Sequence, residues 1–134
     1  MNAHATSPFD PTRVPHLLGP FAPVTDEVDI VDLEVTGELP TALDGTYVRN
    51  GPNPRFTPIG SYLYPIDGDG MLHAVRISGG RARYLNRFVR TPAMVAEERA
   101  GRALWGGLES MIMPGADEVG PELADTFKDL PDIN

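Results

Sequence analysis

Apolar and polar positions alternate most clearly between Ser61 and Arg90. Three short runs, 61–66, 71–77 and 81–90, are rich in β-branched and aromatic residues and are separated by Asp67-Gly68-Asp69-Gly70 and Ser78-Gly79-Gly80. Strand-like runs joined by tight glycine-bearing reversals predict an up-and-down antiparallel meander. Side chains alternate across a strand, so Ala82, Tyr84, Asn86 and Phe88 share one face of the third run and Arg81, Arg83, Leu85, Arg87 and Val89 the other. Residues 26–35 alternate less regularly, with Val28, Ile30 and Leu33 expected inward. Residues 46–50 form a further short strand, halted by Gly51-Pro52-Asn53-Pro54. The best helical stretch is 93–102, just after Pro92, and 103–107 reads as another strand or turn.

The flanks differ in character. Pro8, Pro11, Pro15, Pro20 and Pro23 deny amide donors to 1–27 and predict an extended arm, one that packs through Phe9, Val14, Leu17, Leu18 and Phe21. From Asp117 onward six acids face the single base Lys128, which predicts a solvated loop. The expected organisation is therefore an arm over 1–27 and a partial all-β domain over 28–134. A propeller blade takes roughly 40–45 residues, so the chain has length for about one to two blades. Two blades cannot close a ring, and open sheet edges invite pairing; the chain is expected to be a fragment of a larger fold.

Composition removes several classes of chemistry. The formal charge of −8 argues against nucleic acid, whose phosphates call for a basic face. No cysteine is present, so disulfides, thiolate metal sites and a cysteine nucleophile are out, and a cytoplasmic setting is expected. The opening residues show no secretory leader, and no run approaches the roughly 18 apolar residues of a membrane span.

Candidate motifs mostly fail on spacing. Asp67 and Asp69 invite a calcium reading, but the fifth and sixth positions counted from Asp67 are Met71 and Leu72, where an EF-hand loop needs an oxygen ligand and glycine. A turn with positive-φ glycines, its aspartates bonding nearby amides, is the expectation. Gly68 and Gly70 are followed by His73 where a dinucleotide loop needs glycine, and Gly79-Gly80-Arg81 lacks the Lys-Ser/Thr of a phosphate loop. His73 sits between Leu72 and Ala74 and is expected to be a hydrogen-bonded structural group; His4 and His16 lie in the arm, without metal-ligand spacing. Ser61, Ser78 and Ser110 lack a nucleophile-elbow context. Glu97-Glu98 is expected on a solvated helix face, and Arg81, Arg83, Arg87 and Arg90 are expected to pair with acids of the chain itself. The residues alone thus show a turn-rich β meander with no catalytic, cofactor-binding or metal-binding residue.

Three ordered blocks add a resemblance: Leu43-Asp44-Gly45-Thr46-Tyr47-Val48-Arg49-Asn50-Gly51-Pro52-Asn53-Pro54 after Glu38-Leu39-Pro40; Asp67-Gly68-Asp69-Gly70-Met71-Leu72-His73-Ala74-Val75; and Asn86-Arg87-Phe88-Val89-Arg90-Thr91. Over roughly 28–107 the chain resembles the N-terminal region of the carotenoid oxygenase family, which includes carotenoid and apocarotenoid cleavage dioxygenases, lignostilbene dioxygenases and a retinoid isomerase. The resemblance implies a seven-bladed β-propeller and one Fe(II) on its axis, held by four histidines with glutamates behind them. It also implies oxidative cleavage by O2 of a conjugated double bond in an apolar polyene or stilbene, with peripheral membrane contact for which Met111, Ile112 and Met113 are candidates, a buried core role being the alternative for them. The family's first iron histidine typically stands in a Thr-Ala-His-Pro context and the other three are spread over later blades, whereas His4, His16 and His73 precede Ala, Leu and Ala. His73 matches a family position that is not a ligand. The resemblance therefore implies that all four ligands lie beyond Asn134 and that this chain is an iron-free, inactive N-terminal piece of such a dioxygenase. The alternative is a truncated, non-catalytic β-module acting in protein interaction.

Overall fold

The computed structural model describes residues 10, 12–63 and 66–129. They gather into two compact units, one of 26–51 with 70–89, the other of the described residues within 1–25, 52–69 and 90–134.

The first of these units is a sheet of four strands among the described residues: β1 Asp29–Ile30, β2 Gly45–Pro52, β3 Gly70–Ser78 and β4 Arg81–Phe88, in the order β1-β4-β3-β2. β3 and β4 form an antiparallel hairpin running from Met71 opposite Phe88 to Ser78 opposite Arg81. Its two-residue turn needs positive φ at both positions to match the twist of the strands, and Gly79 and Gly80 supply it at 57° and 76°. The predicted faces of β4 hold: Ala82, Asn86 and Phe88 are buried, while Arg81, Arg83 and Arg87 are exposed.

Asn86 fastens the incoming chain. Its side chain is 1% exposed; Oδ1 accepts from the Val28 amide at 2.6 Å and Nδ2 donates to the Asp26 carbonyl at 2.9 Å. The Asn86 amide donates to the Val28 carbonyl at 3.1 Å and the Leu33 amide to the Ala82 carbonyl at 2.8 Å. These spaced bonds replace a long ladder, so the strand expected over 26–35 shrinks to two residues, and Ile30, expected inward, is exposed on this edge. Arg83 pairs with Asp29 and holds its carboxyl below the usual range, chiefly by hydrogen bonding. Arg81 reaches Asp32 at 3.0 Å, so the acid pairing expected of these arginines is observed.

The meander itself needs correction. β3 neighbours β2 rather than a strand at 61–66. Residues 61–63 form no strand and 64–65 lie outside the described residues. Instead Tyr62 is buried in a cluster with Val14 and Leu17.

That cluster belongs to the second unit and packs the arm through Val14 and Leu17, whereas Leu18 and Phe21, expected to pack with them, are exposed and Phe9 lies outside the described residues. The arm is not wholly extended: Pro15–Leu17 and Gly19–Phe21 each make one 3-10 turn. Proline's fixed φ suits the first turn of such a helix, where its missing amide costs nothing, and Pro15 and Pro20 stand at the first and second positions of theirs. Asn53 from the Gly-Pro-Asn-Pro block grips the arm, accepting from the Val24 amide at 2.7 Å and donating to the Val24 carbonyl at 2.8 Å.

Helix α1, Pro92–Ala100, starts with Pro92 behind the Thr91 cap, whose hydroxyl accepts from the Met94 amide at 3.2 Å, and stops at left-handed Gly101. It buries Ala93, Met94 and Glu97. Ala93 packs with Leu104 and Trp105, and Ala96, Met113, Val119 and Leu123 close over them. The expected strand or turn at 103–107 is reduced to a single parallel bridge between Ile59 and Gly106.

Candidate functional site

His73 is the described histidine whose surroundings can be read. It lies mid-β3, half-buried, with Nδ1 2.7 Å from the Tyr84 hydroxyl and the two rings stacked at 6.2 Å between centroids. Burial holds its pKa below the ordinary value, and the charge of Arg49 pushes the same way. A neutral, hydrogen-bonded imidazole is the structural role its sequence context predicts. His16 lies in the first 3-10 turn, and His4 falls outside the described residues.

The loop Asp67-Gly68-Asp69 is built for close approach. A Cβ on Gly68 would come 2.6 Å from the Pro52 Cβ and 3.0 Å from the Asn53 amide nitrogen. Neither Gly68 nor Gly70 is among the glycines at positive φ, which corrects the expected reason for glycine here. The carboxylates do bind amides: Asp67 accepts from Leu63 at 2.6 Å and Leu108 at 2.9 Å, and Asp69 from Arg55 at 2.8 Å. With their oxygens so engaged, the two acids serve as loop braces.

The strongest electrostatic arrangement lies where the residue pattern predicts solvent. Glu97 is 1% exposed. Its Oε1 accepts from the Leu104 and Trp105 amides at 2.9 and 3.3 Å, and its Oε2 meets the Lys128 ammonium at 2.7 Å. Lys128 also reaches Asp69 at 2.5 Å. Burial by itself would lower the lysine pKa, but the two carboxylates outweigh it and hold it above the ordinary value. Glu97 is therefore a buried ion-pair partner, contrary to the expected solvated face; Glu98, with 27% of its side chain exposed, pairs with Arg90 at 3.5 Å.

The expected solvated acidic loop holds for its described acids, since Asp117, Glu118, Glu122, Asp125 and Asp129 are all exposed, while 130–134 lie outside the described residues; the departures are a helical turn and the half-buried Lys128. Ala116–Val119 is a short helix α2, and the chain to Thr126 is fixed by the Trp105 indole nitrogen, which donates to the Thr126 carbonyl at 2.8 Å. One signal was available in the sequence: Thr91 caps α1, and Glu97 then stands three and four residues after Met94 and Ala93, on the face that α1 buries. Nothing comparable marks Lys128, whose partners Glu97 and Asp69 lie 31 and 59 residues away along the chain.

Beside this triad is a cavity of about 240 Å³, walled by 66–68, by Gly106 and Leu108, and by 127–129. Among the described residues no three histidine, aspartate or glutamate side chains gather as a metal site. Ser78 and Ser110 are spent on Asp44 and the Gly107 carbonyl, so neither is set up as a nucleophile.

The model of the family described as retinal pigment epithelial membrane protein matches residues 21–133. This chain belongs to that family, the carotenoid oxygenases. It is 48% identical over 94 residues to carotenoid 9,10(9',10')-cleavage dioxygenase 1 of Phaseolus vulgaris, covering 69% of this chain and 17% of that protein. It is 40% identical over 92 residues to isoeugenol monooxygenase of Pseudomonas nitroreducens, covering 69% and 19%. The solved lignostilbene dioxygenase of Pseudomonas brassicacearum superposes with a TM-score of 0.65 at 32% identity, covering 69% of this chain and 20% of that one.

This carotenoid oxygenase chain thus spans about a fifth of the length of the relatives it matches. Its fold class is the β-propeller of those oxygenases, with its sheet contributing blade structure. A four-histidine iron centre does not fit the residues present, because His73 is committed to Tyr84 and no ligand cluster gathers among the described residues.

Proposed function

We propose that this polypeptide is the N-terminal part of a nonhaem Fe(II)-dependent dioxygenase that cleaves a conjugated double bond in a carotenoid, apocarotenoid or stilbene, and that it is inactive alone. The supporting observation is the family match across nearly the whole chain, set against a span of only about a fifth of its relatives. Its own contribution is architectural: Asn86 and the Gly79-Gly80 hairpin order one sheet, and the Asp69–Lys128–Glu97 ion triad orders the helical unit. The iron, its four histidines and the polyene or stilbene path then come from polypeptide not present here. The proposed setting is cytoplasmic, with peripheral membrane contact through Met111 and Ile112, both exposed, and without Met113, which packs against the Ala93–Leu104–Trp105 cluster.

Two preparations test this. The purified 134-residue chain should hold no stoichiometric iron and should not bleach a polyene or split a stilbene in air. The same chain joined to the remaining four fifths of a related dioxygenase should do both. Tight iron or turnover in the isolated chain would overturn the proposal.

A second reading, a non-catalytic interaction module, draws on the edge strand β2, where residues 45–50 are exposed and Tyr47 and Val48 are 66% and 55% accessible. An unpaired edge of that kind templates pairing with another strand. Light scattering decides between the readings: a chain that pairs through β2 on its own gives a concentration-dependent dimer, lost on placing lysine at Val48.

A further inference from the structure

We infer that residues 120–129 form a strap whose end, 127–129, walls the 240 Å³ cavity, and that the Lys128 ammonium is the latch that holds this wall in place. This stands apart from the proposed oxygenase reading and uses only side chains of the one unit. Phe127, Lys128 and Asp129 make one wall of the cavity, opposite Ile66 and Leu108, two apolar residues that are 68% and 44% exposed. The wall residues flank the latch directly, so the lysine cannot leave its site without carrying them away.

Three observations support a releasable strap. Lys128 is the only base from 117 to 134, in a stretch otherwise supplied with acids. It is held 2.5 Å from Asp69 and 2.7 Å from Glu97, carboxylates that are 6% and 1% exposed. Without the ammonium, these buried carboxylates would confront the acidic strap, and attraction would become repulsion. Finally, Asp125 and Asp129 bracket the latch at φ of 57° and 56°, the left-handed region that non-glycine residues seldom occupy. The chain is thus bent at both ends of the segment that the lysine pins. The upstream part of the strap is anchored separately, by Leu123 on the Ala93–Leu104–Trp105 cluster and by the Asp125 amide on the Pro114 carbonyl at 3.1 Å.

Hydrogen exchange on the full 134-residue chain tests the latch. In Lys128→Met, amides of 126–129 should exchange at least tenfold faster while those of α1 and of the separately anchored 124–125 keep most of their protection, and binding of an apolar fluorescent dye, 8-anilinonaphthalene-1-sulfonate, should rise as the cavity wall moves away. The triple variant Lys128→Met, Asp69→Asn, Glu97→Gln carries no charge at the latch, so it should regain strap protection and lose the dye signal. Unchanged exchange at 126–129 in Lys128→Met would overturn the inference. So would whole-chain loss of protection in that variant, since the strap would then be part of the cooperative core. A folded triple variant with a loose strap would also overturn it.

Discussion

Glu97 offers the sharpest contrast between a reading from residue pattern and one from structure, and its replacement is therefore the most informative perturbation. In Glu97→Ala, the Leu104 and Trp105 amides lose their acceptor and Lys128 loses one of its two carboxylates. Hydrogen bonds to a charged acceptor contribute about 1.5–3 kcal/mol each, and breaking a buried ion pair costs about 3–5 kcal/mol. One carboxylate serves all these contacts, so the figures do not add, and Lys128 retains Asp69. A loss of about 3–5 kcal/mol is expected. Glu97→Gln keeps the carbonyl oxygen for the amides but sets an amide donor against the ammonium, and should cost about 1–3 kcal/mol. A solvated glutamate would change stability by only about 0.5 kcal/mol. Urea unfolding can be followed through Trp105, the single tryptophan, which is 4% exposed and bonded through its amide to Glu97 itself. At a slope of about 2 kcal/mol per molar urea, the midpoint for Glu97→Ala should fall by about 2 M. A fall of under about 0.3 M would refute the ion-triad account of this unit.

Further outcomes concern the sheet. Gly79→Ala and Gly80→Ala put a Cβ on left-handed backbone at φ of 57° and 76° and should each cost about 1–2 kcal/mol. Gly45→Ala, with nothing within 4 Å of the added atom, should stay within about 0.5 kcal/mol of the parent; thermal midpoints compare the three, and equal midpoints would remove the hairpin argument. His73 titrates in the folded chain below its ordinary 6.5 because burial disfavours the imidazolium, with Arg49 adding to the effect. The unfolded chain then binds more protons just below pH 6.5; the stability from neutral His73 is present above that value and is lost as pH falls through the interval down to the depressed folded pKa. His73→Gln should flatten the dependence of the thermal midpoint on pH there, and matching slopes in both proteins would dismiss it.

Local pattern was enough for the parts whose physics is local. The β3–β4 hairpin follows from alternation around Gly-Gly, the two faces of β4 from its period of two, and α1 from Pro92 and the apolar spacing behind it. His73 as a hydrogen-bonded strand histidine was also legible, as was the pairing of Arg81 and Arg83 with acids. The absence of cysteine and the net charge of −8 were matters of composition alone.

What tertiary structure decided is which distant segments meet. Residues 61–66 alternate like a strand, yet Tyr62 is taken by Val14 and Leu17, and β3 pairs with β2 instead. Gly68 looks like a turn glycine but is needed because Pro52 and Asn53 approach its backbone. Above all, Asp69, Glu97 and Lys128 each carry a charge that solvent would ordinarily keep. Burying any one alone would cost more than local structure returns; the three go under together because the fold brings opposite charges into contact, and no window of neighbouring residues contains that balance.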